Sequence, residues 1–355
     1  MNFPADKVDS FRRALKGRTV CVTGGAGFIG GHLASTLLEL GAEVQIIDDL
    51  SNADAGLPAS LVDRHPGRCR FVFGSILDPR ALSEAVMGAE IVFHLAAMGS
   101  VPRSIAEPER SMAVNLTGTL RVAQACREAG VRRWVYSASS SAYGDDPSGG
   151  ATGGRGPCVE TMSPRPMSPY AVSKLGGEYI IRTWAVCYAL PGMSLRYFNI
   201  FGPRQPSDSP YSAVIARFIR KLSEGQRPVV YGDGLQTRDF TPVDNAVYAN
   251  LLAATGTREP RGEVVNIGLG RRTTVLELIS HLSRLTGRGD ATPAFEPERT
   301  GDIPHSQADI TRARELLGYE PVRTFEEGLQ ATVDWFTRAP SQVESTNTGA
   351  RAARV

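Results

Sequence analysis

Thr23-Gly24-Gly25-Ala26-Gly27-Phe28-Ile29-Gly30 begins on the last residue of the apolar run Thr19-Val20-Cys21-Val22-Thr23. That run reads as a buried parallel strand. Behind the glycines, Ile29, Leu33, Leu37 and Leu40 recur at helical spacing, and Gly41 closes the pattern. Val44-Gln45-Ile46-Ile47 is then a second strand, with Asp48 at its end. A glycine turn between strand and helix is a phosphate cradle. Gly24 permits the tight turn, Gly27 lets backbone approach a pyrophosphate, and Gly30 lets helix and strand pack closely. Phe28 and Ile29 open the helix, whose N-terminal N–H groups and dipole favour phosphate. A carboxylate at the place of Asp48 accepts from a ribose hydroxyl and repels a 2′-phosphate, so the unit predicts NAD rather than NADP.

Strand-like and helix-like segments alternate outward from this unit. Strands are expected at 69–73, 91–95, 134–137 and 195–198, and helices at 81–87, 115–130 and 168–189. Phe11 and Leu15, with charges between them, suggest a short amphipathic helix ahead of the first strand. The alternation predicts an α/β fold of Rossmann type: a doubly wound parallel sheet with ligands at the carboxyl ends of its strands. After Phe198 prolines and the run Gly232-Asp233-Gly234 break the regularity. A cofactor-binding domain is expected over 1–198, with a returning segment near 240–268 that includes Val264–Ile267. A smaller C-terminal substrate-binding domain is expected over 199–338, and a disordered tail over 339–355. Five glycines in the nine residues 148–156 mark a loop, read as a mobile surface insertion or a border of the active site.

Hydrophobic residues make up 42% of the chain, ample for a core, and the formal net charge is only +2. No basic excess argues for nucleic acid, and no apolar stretch is long enough to span a bilayer. Five cysteines without a C-x-x-C pair, and histidines without H-E-x-x-H spacing, predict neither a disulfide framework nor a metal site. The first 18 residues carry charges throughout and do not read as a signal peptide, so a reduced, cytoplasmic protein is expected.

The chemistry lies further along. Ser139-Ser140-Ser141 follows the fifth strand, and Tyr170 and Lys174 stand four apart on the next helix, hence on one face. Free tyrosine, with a pKa near ~10, is a poor base at neutral pH. A neighbouring ammonium favours its phenolate, and a serine hydroxyl can hold the substrate oxygen. This is a proton-transfer apparatus suited to work beside a nicotinamide.

With these motifs the chain resembles the extended short-chain dehydrogenases/reductases, and within them the nucleotide-sugar 4-epimerases of the UDP-glucose/UDP-N-acetylglucosamine type. The resemblance rests on Thr23–Gly30, His94–Ala97, Ser139–Gly144, Ser168–Lys174, Leu195–Pro203, Gly232–Phe240 and Ala308–Tyr319, and spans about Arg18 to Phe336. It implies that Tyr170 is the catalytic base, Lys174 its electrostatic partner and Ser139 the catalytic serine. It implies cofactor contacts from Ser75, Ile76, Leu95, Ala96, Ala97, Tyr170, Lys174 and Tyr197. Ser75 stands where the family usually has an Asp for the adenine amine. Substrate contacts are implied for Ser100, Arg103, Ser139, Ser140, Ser141, Asn199, Tyr231, Arg238, Arg299, Asp302 and Ser306. Arg238 and Arg299 would clamp the diphosphate, and a small residue at Ser306 would leave room for an N-acetyl group. The related 4,6-dehydratases carry acids where this chain has Ser140 and Ser141. The implied function is NAD-dependent epimerisation at C4 of a UDP-hexose through a 4-keto intermediate. UDP-glucuronate decarboxylation or 4,6-dehydration is the alternative, and a non-catalytic NAD-binding protein is a third reading. A homodimer through helices at about 101–128 and 170–188 is also implied, with Val114, Leu120 and Val122 as apolar positions that would serve a core equally well.

Overall fold

A computed structural model describes residues 3–144, 156–206, 214–289, 291–298 and 304–338. In chain order the first half runs α1 (Ala5–Leu15), β1 (Thr19–Thr23), α2 (Phe28–Glu39), β2 (Glu43–Asp48), α3 (Gly56–Arg64), β3 (Cys69–Phe73), α4 (Pro79–Val86) and β4 (Ile91–His94). Then come α5 (Val101–Ala106), α6 (Pro108–Met112), a π-turn (Ala113–Thr117), α7 (Gly118–Glu128), β5 (Arg133–Ser139), a 3₁₀ turn (Ser140–Tyr143), α8 (Pro169–Tyr188) and β6 (Gly192–Tyr197). The remainder is β7 (Ile200–Phe201), α9 (Val214–Ser223), β8 (Val229–Tyr231), β9 (Thr237–Arg238), β10 (Thr241–Pro242), α10 (Val243–Thr255), β11 (Glu263–Ile267), β12 (Thr273–Thr274), α11 (Val275–Leu285), β13 (Ala294–Glu296), α12 (Thr311–Leu317) and α13 (Phe325–Arg338).

Seven strands form one sheet in the order β11-β6-β5-β4-β1-β2-β3, and every neighbouring pair is parallel. The expected doubly wound sheet is therefore present. The order reverses between β1 and β4, and a crevice opens at the carboxyl ends of strands at such a point. Alternation along β1 shows how the sheet is filled. Val20 and Val22 point into a core with α1, α2, α3 and α10, whereas Cys21 points into one with α4, α7 and α8. A third apolar cluster joins Phe201, Phe218, Ile219, Phe240, Leu278, Leu282, Phe325 and Leu329 from the later elements.

One helix differs from its sequence expectation in an instructive way. The helix foreseen over 115–130 begins instead as a π-turn, because the Asn115 side chain is drawn to the backbone of Met98 and to Ser173. Val122 is fully buried in the sheet-facing core, while Leu120 is 41% exposed, so only the second can serve an outer contact. The glycine-rich loop and the tail expected over 339–355 lie outside the described residues, apart from Gly156. None of the five cysteines forms a disulfide, and four are buried.

Candidate active site

The glycine turn is shaped by what its Cβ atoms would strike. Gly24 has φ +72°, and a Cβ there would lie 2.6 Å from Ala96 N. That places the turn against the loop after β4, bringing Leu95, Ala96 and Ala97 beside it. A Cβ on Gly30 would overlap the Gly24 carbonyl, so the helix can approach the strand only with glycine at this position. Gly27 caps α2 with extended backbone and no side-chain hydrogen bond, and no acid occupies the first turn. Phe28 and Ile29 follow it, and the N-terminal N–H groups of a helix have no intrahelical partners. Asp48, at the end of β2, accepts from Ala26 N at 3.1 Å and Leu50 N at 2.9 Å, and burial pushes its carboxyl up. A narrow backbone cradle with positive dipole and an acid at the next strand end fits the pyrophosphate and ribose of NAD. Beyond β3, the Ser75 hydroxyl accepts from Leu77 N, Ile76 is buried, and Asp78 caps α4 by accepting from Arg80 N.

The serine, tyrosine and lysine converge at the end of β5. Ser168 caps α8 by accepting from Ala171 N at 3.1 Å, with Pro169 in the first turn, so Tyr170 and Lys174 leave the start of a well-anchored helix. Ser139 hydrogen-bonds the Tyr170 phenol, which draws the phenol downward against the upward push of burial. The Ser139 hydroxyl oxygen in turn accepts from Ser141 N at 3.2 Å and Ser141 Oγ at 2.9 Å, which leaves its proton for the phenol. Lys174 Nζ donates to the Ser137 carbonyl at 2.7 Å and lies 4.9 Å from the centroid of the Tyr136 ring. Burial pushes its ammonium down to about 7, and Glu178 opposes that.

Several supports were not singled out in the sequence. Ser104 accepts from Tyr170 N at 3.1 Å, and Ser173 donates to the Tyr170 carbonyl at 2.7 Å while accepting from Asn115. Asn115 also receives Met98 N at 2.7 Å, so one amide ties the loop after β4 to the helix carrying Tyr170. Asp239 accepts from Leu269 N, Gly270 N and Ala308 N, and burial pushes it up to about 6. Ser173 and Asp239 lie inside the motifs Ser168–Lys174 and Gly232–Phe240, but for all four only the three-dimensional partners show the supporting part they play.

Among the expected substrate residues, Ser100 caps α5 by accepting from Arg103 N. The Arg103 guanidinium is held by Glu107 at 3.0 Å and by Asn52 at 2.6 Å. Ser140 belongs to the 3₁₀ turn after Ser139. Asn199 has φ +37°, a left-handed conformation that asparagine tolerates and that concentrates at ligand sites. Tyr231 ends β8, and its carbonyl accepts from Gln236. Arg238 donates to the carbonyls of Thr237 and Pro304, and Ser306 N donates to Thr237 O, so Arg238 and Ser306 share one local ribbon. Arg299 and Asp302 lie outside the described residues. One cofactor expectation is redirected: Tyr197 is 8% exposed, and its hydroxyl receives Asn250 at 2.6 Å and Ser137 at 3.1 Å, which turns it into the core toward α10. Among the described residues no cluster of side chains could hold a metal, and no helix is long and apolar enough to cross a membrane.

Fold and site together define a Rossmann-type α/β protein with a serine, a tyrosine and a lysine gathered beside a dinucleotide cradle. Residues 20–268 match the NAD dependent epimerase/dehydratase family, and the chain belongs to it. A UDP-glucose 4-epimerase of Mycolicibacterium smegmatis is 37% identical over 317 residues, covering 89% of this chain and 97% of that protein. The solved UDP-N-acetylglucosamine 4-epimerase of Methanobrevibacter ruminantium, in complex with UDP-N-acetylmuramic acid, superposes with a TM-score of 0.83 at 36% identity, over 91% of this chain and 99% of that one. The UDP-glucose 4-epimerase of Thermotoga maritima, solved with UDP-glucose, gives 0.82 at 36% identity, over 90% and 99%.

Proposed function

We propose that the protein interconverts the C4 epimers of a UDP-hexose, UDP-N-acetylglucosamine and UDP-N-acetylgalactosamine foremost and UDP-glucose and UDP-galactose besides. The observation that carries this reading is the gathering of Ser139, Tyr170 and Lys174 at the end of β5, two strands along the sheet from β1, whose end bears the cradle of Gly24, Gly27 and Gly30. NAD, when bound, supplies the acceptor and donor of hydride at sugar C4. Tyr170 takes the proton from the 4-hydroxyl as it becomes a carbonyl and returns a proton when the keto sugar, turned over, is reduced on its other face. Lys174 stabilises the phenolate and Ser139 aligns the sugar oxygen. Arg238 and Arg299 hold the diphosphate, since a guanidinium fork suits it, and this hold tethers the intermediate while it turns. Asn199, Tyr231, Asp302, Ser100, Arg103, Ser140 and Ser141 complete the substrate pocket in this reading. Residues 1–198 with the returning 240–268 form the cofactor domain, and 199–338 the substrate domain; the separate apolar cluster around Phe218 and Leu278 supports that division. No acid stands in the serine cluster 139–141, so dehydration lacks its catalyst.

The test is incubation of the purified protein with UDP-N-acetylglucosamine and no added cofactor, followed by chromatography. Appearance of UDP-N-acetylgalactosamine supports the reading, and no epimer from any UDP-hexose even with added NAD overturns it. Ser306→Tyr is expected to lower turnover of the N-acetyl sugar at least tenfold relative to UDP-glucose, the scale at which a filled pocket discriminates. Equal loss on both sugars refutes the gate.

A homodimer through α5, α7 and α8 belongs to the same reading. Ile105 is 63% exposed, Tyr179 58% and Val186 72%, a set of large apolar side chains turned outward on the helices that also carry Ser104 and Tyr170. Light scattering is expected to give twice the chain mass, and a monomer at micromolar concentration refutes it.

A further inference from the structure

One turn beyond Lys174 lies a buried charge pair that the reaction above does not use. Glu178 and Arg196 are 4% and 3% exposed, and Arg196 donates twice, Nε to Oε1 at 2.8 Å and Nη2 to Oε2 at 2.7 Å. The Arg196 guanidinium lies 4.5 Å from the Tyr143 ring centroid, and the Tyr143 hydroxyl donates to Asn266 at 2.7 Å. Buried pairs of this kind add little net stability, because desolvation consumes most of the Coulombic gain. Glu178 shares a helix face with Lys174, four residues away.

The surroundings of Lys174 isolate this carboxylate. From β5 come the Ser137 carbonyl and the Tyr136 ring. From β4 comes His94, packed on Tyr136 and held between the hydroxyls of Thr23 and Thr119, with burial pushing it down to about 3, so it is neutral. From β6 comes Arg196, already paired, with Tyr143 against it. The charged side chains of α5, α6 and α7 turn elsewhere: Arg103 and Arg110 to Glu107, Arg121 to the Leu77 carbonyl, Arg127 to the Tyr188 ring, and Glu128 to Gln124. Among the described residues, Glu178 is the one carboxylate acting on Lys174.

We propose that Glu178, anchored by Arg196, is a positioning residue for proton transfer: it holds Lys174 as an ammonium and thereby sets how much of the Tyr170–Lys174 pair carries phenolate. This rests on Tyr170 being the base. In that reading phenol and ammonium, four residues apart on one helix face, titrate as a coupled pair. Losing one proton gives either ammonium with phenolate, which is productive, or amine with phenol, which is idle. Both forms hold the same number of protons, so their ratio does not depend on pH. A carboxylate beside Lys174 favours the first. Without it the pair releases its first proton at lower pH, yet more of the resulting population is idle.

The experiment measures kcat against pH together with the tyrosinate absorbance of Tyr170, taken as the difference from the Tyr170→Phe protein on the same background. The absorbance needs no turnover. Glu178→Gln is expected to lower the plateau of kcat roughly tenfold and to move the acid limb down by about one pH unit, since one unit of pKa is a tenfold change in population. The Tyr170 tyrosinate signal on the plateau falls in parallel, and Glu178→Asp, which keeps the charge, restores limb and signal. A fall in kcat with limb and tyrosinate signal unmoved overturns the proposal and leaves Glu178 a packing role. Glu178→Gln/Arg196→Gln removes the pair without orphaning the guanidinium and guards against misfolding of the single variant; the same directions are expected, and an unmoved limb and signal overturn the proposal equally. Absence of epimerisation by the unmodified protein would refute the proposed reaction alone, because the tyrosinate titration still reads the effect of Glu178.

Discussion

Tyr170→Phe is expected to lower epimerisation by roughly 10²- to 10⁴-fold, the range spanned by removal of a positioned general acid–base group. Fold and cofactor retention should hardly change. The phenol oxygen is the only atom lost, its backbone remains tied to Ser104 and Ser173, and Lys174 keeps its bond to the Ser137 carbonyl. KM for the UDP-sugar should stay within a few-fold, because the diphosphate carries most of the ground-state hold. Measurement of kcat and KM with matched circular dichroism spectra checks this. A variant retaining a tenth or more of the original kcat would remove Tyr170 from the role of base and shift attention to the serine cluster. The direction of the effect follows from the local electrostatics. Burial pushes the phenol up, and the Ser139 hydrogen bond offsets part of that push. In the proposed mechanism the remainder is the part of Lys174, whose ammonium burial pushes down to about 7.

The second large effect is expected from Gly30→Ala. One methyl group would overlap the carbonyl of Gly24 and crowd Gly25 Cα at 2.9 Å, and both belong to the turn rather than to a flexible side chain. The helix must back away from β1 or the turn must open. Overpacking of this kind costs about 1–3 kcal/mol. More consequential is that α2 carries the N–H groups that face the pyrophosphate, so a shift of the helix start spoils the cradle itself. Purified Gly30→Ala protein is expected to lose co-purified NAD and to need added NAD at more than tenfold higher concentration for half-maximal activity. Retention of NAD at the original stoichiometry would show that the close approach of α2 to the turn is not what holds the cofactor. The same substitution at Gly156, which has no neighbour within 4 Å of a Cβ and no positive φ, serves as the control for a glycine change that crowds nothing.

The sheet was legible because each strand advertises itself twice, by an apolar run and by the turn that follows. Thr19–Thr23 and Cys69–Phe73 are bounded to the residue, and β2, β4 and β5 within two. The α5–α7 region was read less well, since Pro102 and Pro108 split it into short helices and the π-turn at Asn115 arises from a side-chain hydrogen bond that no hydrophobic period records. In the site, the residues that announce themselves are those spaced by a rigid helix or a tight turn, such as Tyr170 and Lys174 or Gly24 and Gly30. Ser104, Asp239 and the Glu178–Arg196 pair make their partners across tens of residues of sequence, and their types are common on any surface. Tyr197 teaches the reverse lesson. A position can match a pattern while its polar atom is engaged elsewhere, here by Asn250 and Ser137.

The wide turn at Ala113–Thr117 has a consequence for how this region can change. A π-turn fits one residue more than an α-helix allows into the same rise, and each helical residue rotates the chain by about 100°. The run from Pro108 to Glu128 is therefore two half-helices phased by a single extra residue. Deleting one residue at the π-turn would make a straighter and intrinsically better helix, yet it would swing Asn115 off Met98 and Ser173 or turn the outward face of α7, Leu120 included, by about 100°. Point substitutions at the exposed positions of this run leave its phase intact, whereas insertions and deletions change the bracing of Tyr170 and the outer face together. Chain length at this place is thus a constraint of its own, distinct from the identity of any side chain it carries.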